Sequence, residues 1–157
     1  MLPNSQDIFC QHQIPSFYNS SPRPITLMAA TRKSALVAGL GRYVSKEYEA
    51  GSKLGVQKTN RQMMLDDIEK AKAAGYDCSS LDVNPDEAEG TIREIKERLQ
   101  NQHFDAFIVG LGLRSNPTLT PLFEDVVNAC VEVSPKTKFG FNPLPNELYQ
   151  TIVRVLP

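Results

Sequence analysis

Residues 106–117 read AFIVGLGLRSNP. Ala106–Leu111 is a short, nearly continuous apolar run, the signature of a strand covered on both faces in the middle of a parallel sheet. It runs into Gly110, Gly112 and Arg114, and then into Asn116-Pro117, where backbone is bare and the chain must turn. SALVAGLGR, Ser34–Arg42, does nearly the same: the run Ala35–Leu40 meets Gly39, Gly41 and Arg42. Two apolar strands that each end in a glycine pair and an arginine read as two strands meeting one demand.

Working outward, strand and helix alternate from Lys33 onward. A helix is predicted from about Asn60 to Ala74, with Met64, Ile68 and Ala71 on one face and Leu65 beside them, stopped by Gly75. Tyr76–Val83 is a second, more polar strand, suited to an edge. Asn84 caps the next helix, with Pro85 at its first position, Asp86 and Glu87 in its first turn, and Ala88, Ile92, Ile95 and Leu99 as its buried stripe. Thr120-Pro121 opens a helix that turns Leu122, Val126, Val127 and Cys130 inward. Lys138–Phe141 is a short fourth strand, and Asn146 caps a last helix carrying Leu148, Ile152 and Val155. Right-handed crossovers in a β-α-β-α-β-α-β-α chain give a parallel sheet with helices on both faces. The expected fold is a small three-layer α/β domain over residues 32–157, Rossmann-like or flavodoxin-like, with a four-stranded sheet in the order 2-1-3-4.

In that order the crevice where ligands sit lies beyond the carboxyl ends of strands one and three. Glycine admits a ligand close to the main chain, and exposed N–H groups in such turns make an anion-binding concavity. The candidate binding residues are therefore Gly39, Gly41 and Arg42 with Gly110, Gly112, Arg114 and Asn116; Ser115 and Asn142 also lie at strand ends. Asp82, at the end of strand two, is placed to accept from a hydroxyl. Arg42–Lys58 reads as a long, modestly basic loop, with Tyr43 and Tyr48 available to stack on a ring.

Named motifs fail on inspection. Gly39-Leu-Gly41-Arg-Tyr-Val44 puts valine where a dinucleotide fingerprint needs its third glycine, and Gln57 precedes Lys58 where a phosphate loop needs glycine. No receiver-type aspartate follows strand three. His103 belongs at the opposite end of the sheet, and His12 precedes the domain, so no triad is suggested and no catalytic residue or cofactor is assigned.

The 157 residues carry a formal net charge of −1, which recruits neither nucleic acid nor acidic membrane. No apolar stretch approaches the ~20 residues of a membrane span. Cys10, Cys78 and Cys130 form no CxxC pair and read as buried thiols in a reducing, cytoplasmic compartment. Residues 1–31, with Pro3, Pro15, Pro22 and Pro24 and no amphipathic period, read as a disordered tail. SALVAGLGR, the helix end AAGYD, FDAFIVGLGLR and LFEDVVN together resemble a set of small uncharacterised Rossmann-like α/β proteins of bacteria and fungi. The resemblance spans roughly residues 33–156 and implies the fold but no activity. The functional expectation is a soluble domain that binds a small anionic or polar ligand. The alternative is a non-catalytic interaction module that forms a homodimer through a sheet edge or through the Met64/Leu65 or Phe123/Val127 surface.

Overall fold

The computed structural model describes residues 31–43 and 54–157, with the backbone alone for residues 54–59. The expected tail, apart from Thr31, and Tyr48 lie outside the described residues. The strands are β1 (Ser34–Gly39), β2 (Asp77–Asp82), β3 (Ala106–Val109) and β4 (Lys138–Phe141). All pair in parallel in the order β2-β1-β3-β4, as the pattern predicted. Five α-helices connect and follow them: α1 (Leu54–Ala73), α2 (Ala88–Asn101), α3 (Leu111–Ser115), α4 (Thr120–Val133) and α5 (Leu148–Val155).

Alternation along the central strands builds two cores. Leu36, Ala38, Phe107 and Val109 face α2, α3 and α4, whose Ile95, Leu99, Leu113, Leu122 and Val126 cover them. Ala35, Val37, Ala106 and Ile108 face α1 and α5, through Ile68, Ala71, Leu148 and Ile152. On that second face Gly140 makes room: a methyl group there would run into Ile108 and press on Val155 and Thr151.

Three details depart from the sequence reading. Helix α1 starts at Leu54, so the expected loop loses its last part to the helix. No proline interrupts 54–73, and Gly55 falls in the first turn, where N–H groups have no intrahelical partner to lose. Strand β3 stops at Val109; Gly110 is the N-cap of α3, which takes up Leu111–Ser115. Asn146 does not cap the last helix, because it lies inside a 3-10 turn, Pro145–Glu147, that leads into α5.

The cap of α5 comes instead from another element. Asp67, on the inward stripe of α1, is buried; its Oδ2 accepts from the Tyr149 N–H at 3.1 Å and its Oδ1 from Lys70 Nζ at 2.6 Å. A carboxylate at a helix N-terminus satisfies a donor that the helix cannot and meets the positive end of its dipole. Asp67→Ala is expected to cost about 1–2 kcal/mol in chemical denaturation, and Asp67→Asn less, because the amide oxygen still accepts.

At the amino end of the sheet Asp105 ties β3 to β1. Its Oδ2 accepts from the Ser34 N–H at 2.7 Å and from Ser34 Oγ at 3.2 Å, and its Oδ1 lies 3.3 Å from His103 Nε2. The Ser34 backbone bond first, then the Ser34 hydroxyl and His103, hold the Asp105 carboxyl below its ordinary value against the opposing effect of burial. A lowered folded value adds stability above the unfolded aspartate value of ~4, and that stability is lost as pH falls through the folded value. Asp105→Asn should therefore destabilise the domain by about 1 kcal/mol at neutral pH. In denaturation curves across pH, the gap from wild type should close below pH ~4.

Candidate functional site

The carboxyl ends of β1 and β3 lie side by side and point the same way, with Ala38 opposite Val109. The Gly110 N–H donates to Ala38 O at 2.8 Å. A Cβ on Gly110 would sit 3.4 Å from both Ala38 O and Gly39 Cα, and one on Gly112 would sit 3.2 Å from Leu40 Cδ1. Gly110 therefore lets the β3 end approach the β1 backbone at Gly39, and Gly112 leaves room for the Leu40 side chain.

Beyond β1 the chain reverses in a 3-10 turn, Gly41–Tyr43, closed by the Tyr43 N–H donating to Leu40 O at 2.7 Å. Gly41 has φ +49°, in the left-handed region that favours glycine, and a Cβ there would strike the Asp82 carboxylate. Asp82 ends β2 next to Gly39, and Arg42 Nε approaches its Oδ2 at 3.5 Å. The Arg42 guanidinium also lies 5.0 Å from the Tyr43 ring centre, within cation–π range.

Arg42, Tyr43 and Asp82 border an open groove of about 300 Å³. Its far wall comes from the start of α2: Asn84, Glu87, Thr91, Arg93 and Glu94. Asn84 caps the Pro85–Glu87 turn by accepting from the Asp86 N–H at 3.1 Å. Thr91 Oγ1 accepts from the Asn84 N–H at 3.1 Å and fixes this corner from the buried side of α2. Thr91 and Arg93 were missed in sequence reasoning. The available signal was a hydroxyl three residues after Ala88, on the helix face otherwise occupied by Ile92, Ile95 and Leu99. The groove is charged on both sides: Arg42 and Arg93 stand against Asp82, Glu87, Glu94 and Glu97.

Thus, of the residues named from sequence, Arg42 and Asp82 line the groove; Gly41 packs against Asp82, and Gly39, Gly110 and Gly112 lie at the β1–β3 junction outside it. Arg114 and Asn116 are engaged elsewhere. Arg114 Nη2 donates to Asn142 O at 2.9 Å, and its guanidinium lies over the Phe141 ring at 5.3 Å, on the β4 side. Arg114 Nε and Asn142 Oδ1 are buried without a hydrogen-bond partner among the described residues. Asn116 Oδ1 accepts from the Thr118 N–H and Oγ1, capping the Pro117–Leu119 turn. Asn142 is buried and donates to Leu144 O, so it belongs to the β4 corner.

The groups that invite a catalytic reading are arranged for structure. In the Ser34, Asp105 and His103 cluster the carboxylate stands in the middle, so the imidazole does not touch the hydroxyl it would have to activate. Burial pushes the Cys78 and Cys130 thiols up to about 11, which keeps them protonated at neutral pH. Among the described residues no three His, Cys, Asp or Glu side chains gather to hold a metal ion, and no helix is long and apolar enough to cross a membrane. Comparison of the chain with protein-family models, with curated proteins and with solved structures finds no match.

The contact between Gly41 and Asp82 can be tested by a double-mutant cycle in chemical denaturation. Gly41→Ala should cost roughly 1–2 kcal/mol for the left-handed backbone, plus a further share for displacing Asp82. In an Asp82→Ala background the further share should vanish while the backbone cost remains.

Proposed function

We propose that the domain binds a small polar ligand carrying an anionic group and at least one hydroxyl, beside the carboxyl ends of β1 and β2. Arg42 grips the anion and Asp82 accepts from the hydroxyl; Asn84 and Arg93 border the same groove. The proposal covers binding and assigns no reaction. The observation that carries it is that Arg42, in the turn after β1, and Asp82, at the end of β2, face one open groove at the carboxyl side of the sheet. Open α/β sheets place their ligands beyond the carboxyl ends of their strands. The four acids of the groove favour a hydroxyl-bearing ligand over a bare, highly charged anion, which they would repel.

Thermal-shift titrations with ribose 5-phosphate, adenosine monophosphate, free ribose and inorganic phosphate test this. The phosphorylated sugars should raise the midpoint, by about 2.7 kcal/mol of added stability at a hundred times Kd, and should outperform either fragment alone. Arg42→Ala should weaken them by about tenfold or more. If none of the four stabilises the protein, or if the effect survives in the Arg42→Ala Asp82→Ala double variant, the reading fails.

A second reading, an interaction module that pairs two copies through a sheet edge, has its own support. Strand β4 is an edge strand, and Phe141 and Leu144 beside it are 38% and 48% exposed. Of the surfaces named from sequence, Leu65 is exposed on α1, whereas Met64 and Phe123 are half-buried and packed on the two cores. Sedimentation showing a concentration-dependent dimer that Phe141→Asp abolishes would favour this reading.

A further inference from the structure

A second groove, of about 660 Å³, runs between α2 and α4, on the outside of one helical layer. Its floor is Ala88, Ile92 and Ala129. Ala88 and Ile92 pack on the core yet stay half-exposed, and alanine at 88 and 129 keeps the floor low. On α2 the groove follows the i, i+4, i+8, i+12 row from Ala88 to Gln100, which spans about 18 Å, or a little over three helical turns.

The rim is acidic. Helix α4 carries Glu124, Asp125 and Glu132 and no basic residue. Lys96 crosses the groove to Glu132 at 2.6 Å and is occupied there. Glu89, Glu97 and Asp125 then share the rim with a single further cation, Arg93.

We propose that this groove docks a basic amphipathic helix of another protein, about three turns long. A low apolar floor takes the partner's apolar stripe, and the acidic rim takes the lysines or arginines that flank it. The same rim repels an anionic membrane and nucleic acid. The Lys96–Glu132 pair crosses the groove one turn short of Gln100, and a cationic partner competes with Lys96 for Glu132. The groove shares Arg93 and Glu97 with the small-ligand groove, but its floor and its α4 wall are its own, and the proposal does not rest on the small-ligand reading.

The probe is a fluorescent helical peptide of leucine and lysine, about 18 residues long. Its apolar residues recur at i, i+3/i+4 and i+7, and a scrambled peptide of the same composition is the control. With the full chain, anisotropy should show binding that weakens as salt rises. The exposed pair Glu97→Lys and Asp125→Lys should weaken it by about tenfold or more, Lys96→Ala should tighten it, and Arg42→Ala should leave it unchanged. NMR shift changes should centre on Ala88, Ile92 and Ala129. The proposal is overturned if the peptide does not bind at roughly 100 µM in low salt, a weak affinity for a specific groove. Equal binding of the scrambled control overturns it as well, as does indifference to the charge reversals in variants whose circular dichroism is native, or shift changes elsewhere.

Discussion

Strand β1 bears the constraint on which the rest depends. It is paired along both edges, to β2 and β3, and buried on both faces. Nothing polar on its side chains can be accommodated between Ala35 and Ala38, because neither face offers water and both backbone edges are already used. Alternation sends Leu36 and Ala38 to one core and Ala35 and Val37 to the other, so one short strand knits both helical layers together. Each fully buried valine or leucine in such a place contributes about 1.5–3 kcal/mol. Register follows: a slip of one residue would exchange the two cores' side chains, Leu36 for Val37 and Ala38 for Gly39.

That constraint also explains how much of the fold was legible in the sequence. A run apolar at every position, six residues long and running into glycines, suits an interior strand better than a helix, and two such runs, Ala35–Leu40 and Ala106–Leu111, put β1 and β3 at the centre. The more polar DCSSLD of β2 and the short KFGF of β4 then had to be edges. Local chemistry was equally readable where it was self-contained, as at Asn84-Pro85. It failed where a distant residue supplies the partner. The N-terminus of α5 is capped by Asp67, from far back in the chain, so the nearby Asn146 was a misleading cap. The clue to Asp67 was present, since an acid beside Ile68 on an otherwise apolar stripe requires a buried partner.

The candidate site divides along the same line. Backbone features transferred well: the strand ends meet, Gly110 lies against Gly39, and Gly41 takes a positive φ against Asp82. Side-chain direction did not. Two arginines in matching positions after matching strands diverge, because each goes to the acceptor its own neighbours provide. Arg42 finds Asp82 at the end of β2, and Arg114 finds the Asn142 carbonyl and the Phe141 ring at the end of β4. No local pattern in GLGR or GLGLR encodes that difference; it comes from which edge strand lies alongside.

Magnitudes then decide which arginine is available to a ligand. The Arg42 side chain is 68% exposed and its pairing with Asp82 is long, 3.5 Å. Such surface pairs contribute about 0–1 kcal/mol, so a ligand can insert between them at little cost and gain two partners. Arg114 would give up a charge-assisted bond to a carbonyl, about 1.5–3 kcal/mol, and its ring contact, about 0.5–1 kcal/mol more. Moving it would also strip Asn142 O of its donor, in a corner that already holds two unpartnered buried polar atoms. Recruiting Arg114 therefore costs several times what recruiting Arg42 does, and the small-ligand reading rests on Arg42 and Asp82, with Arg114 as a structural clamp between α3 and the end of β4.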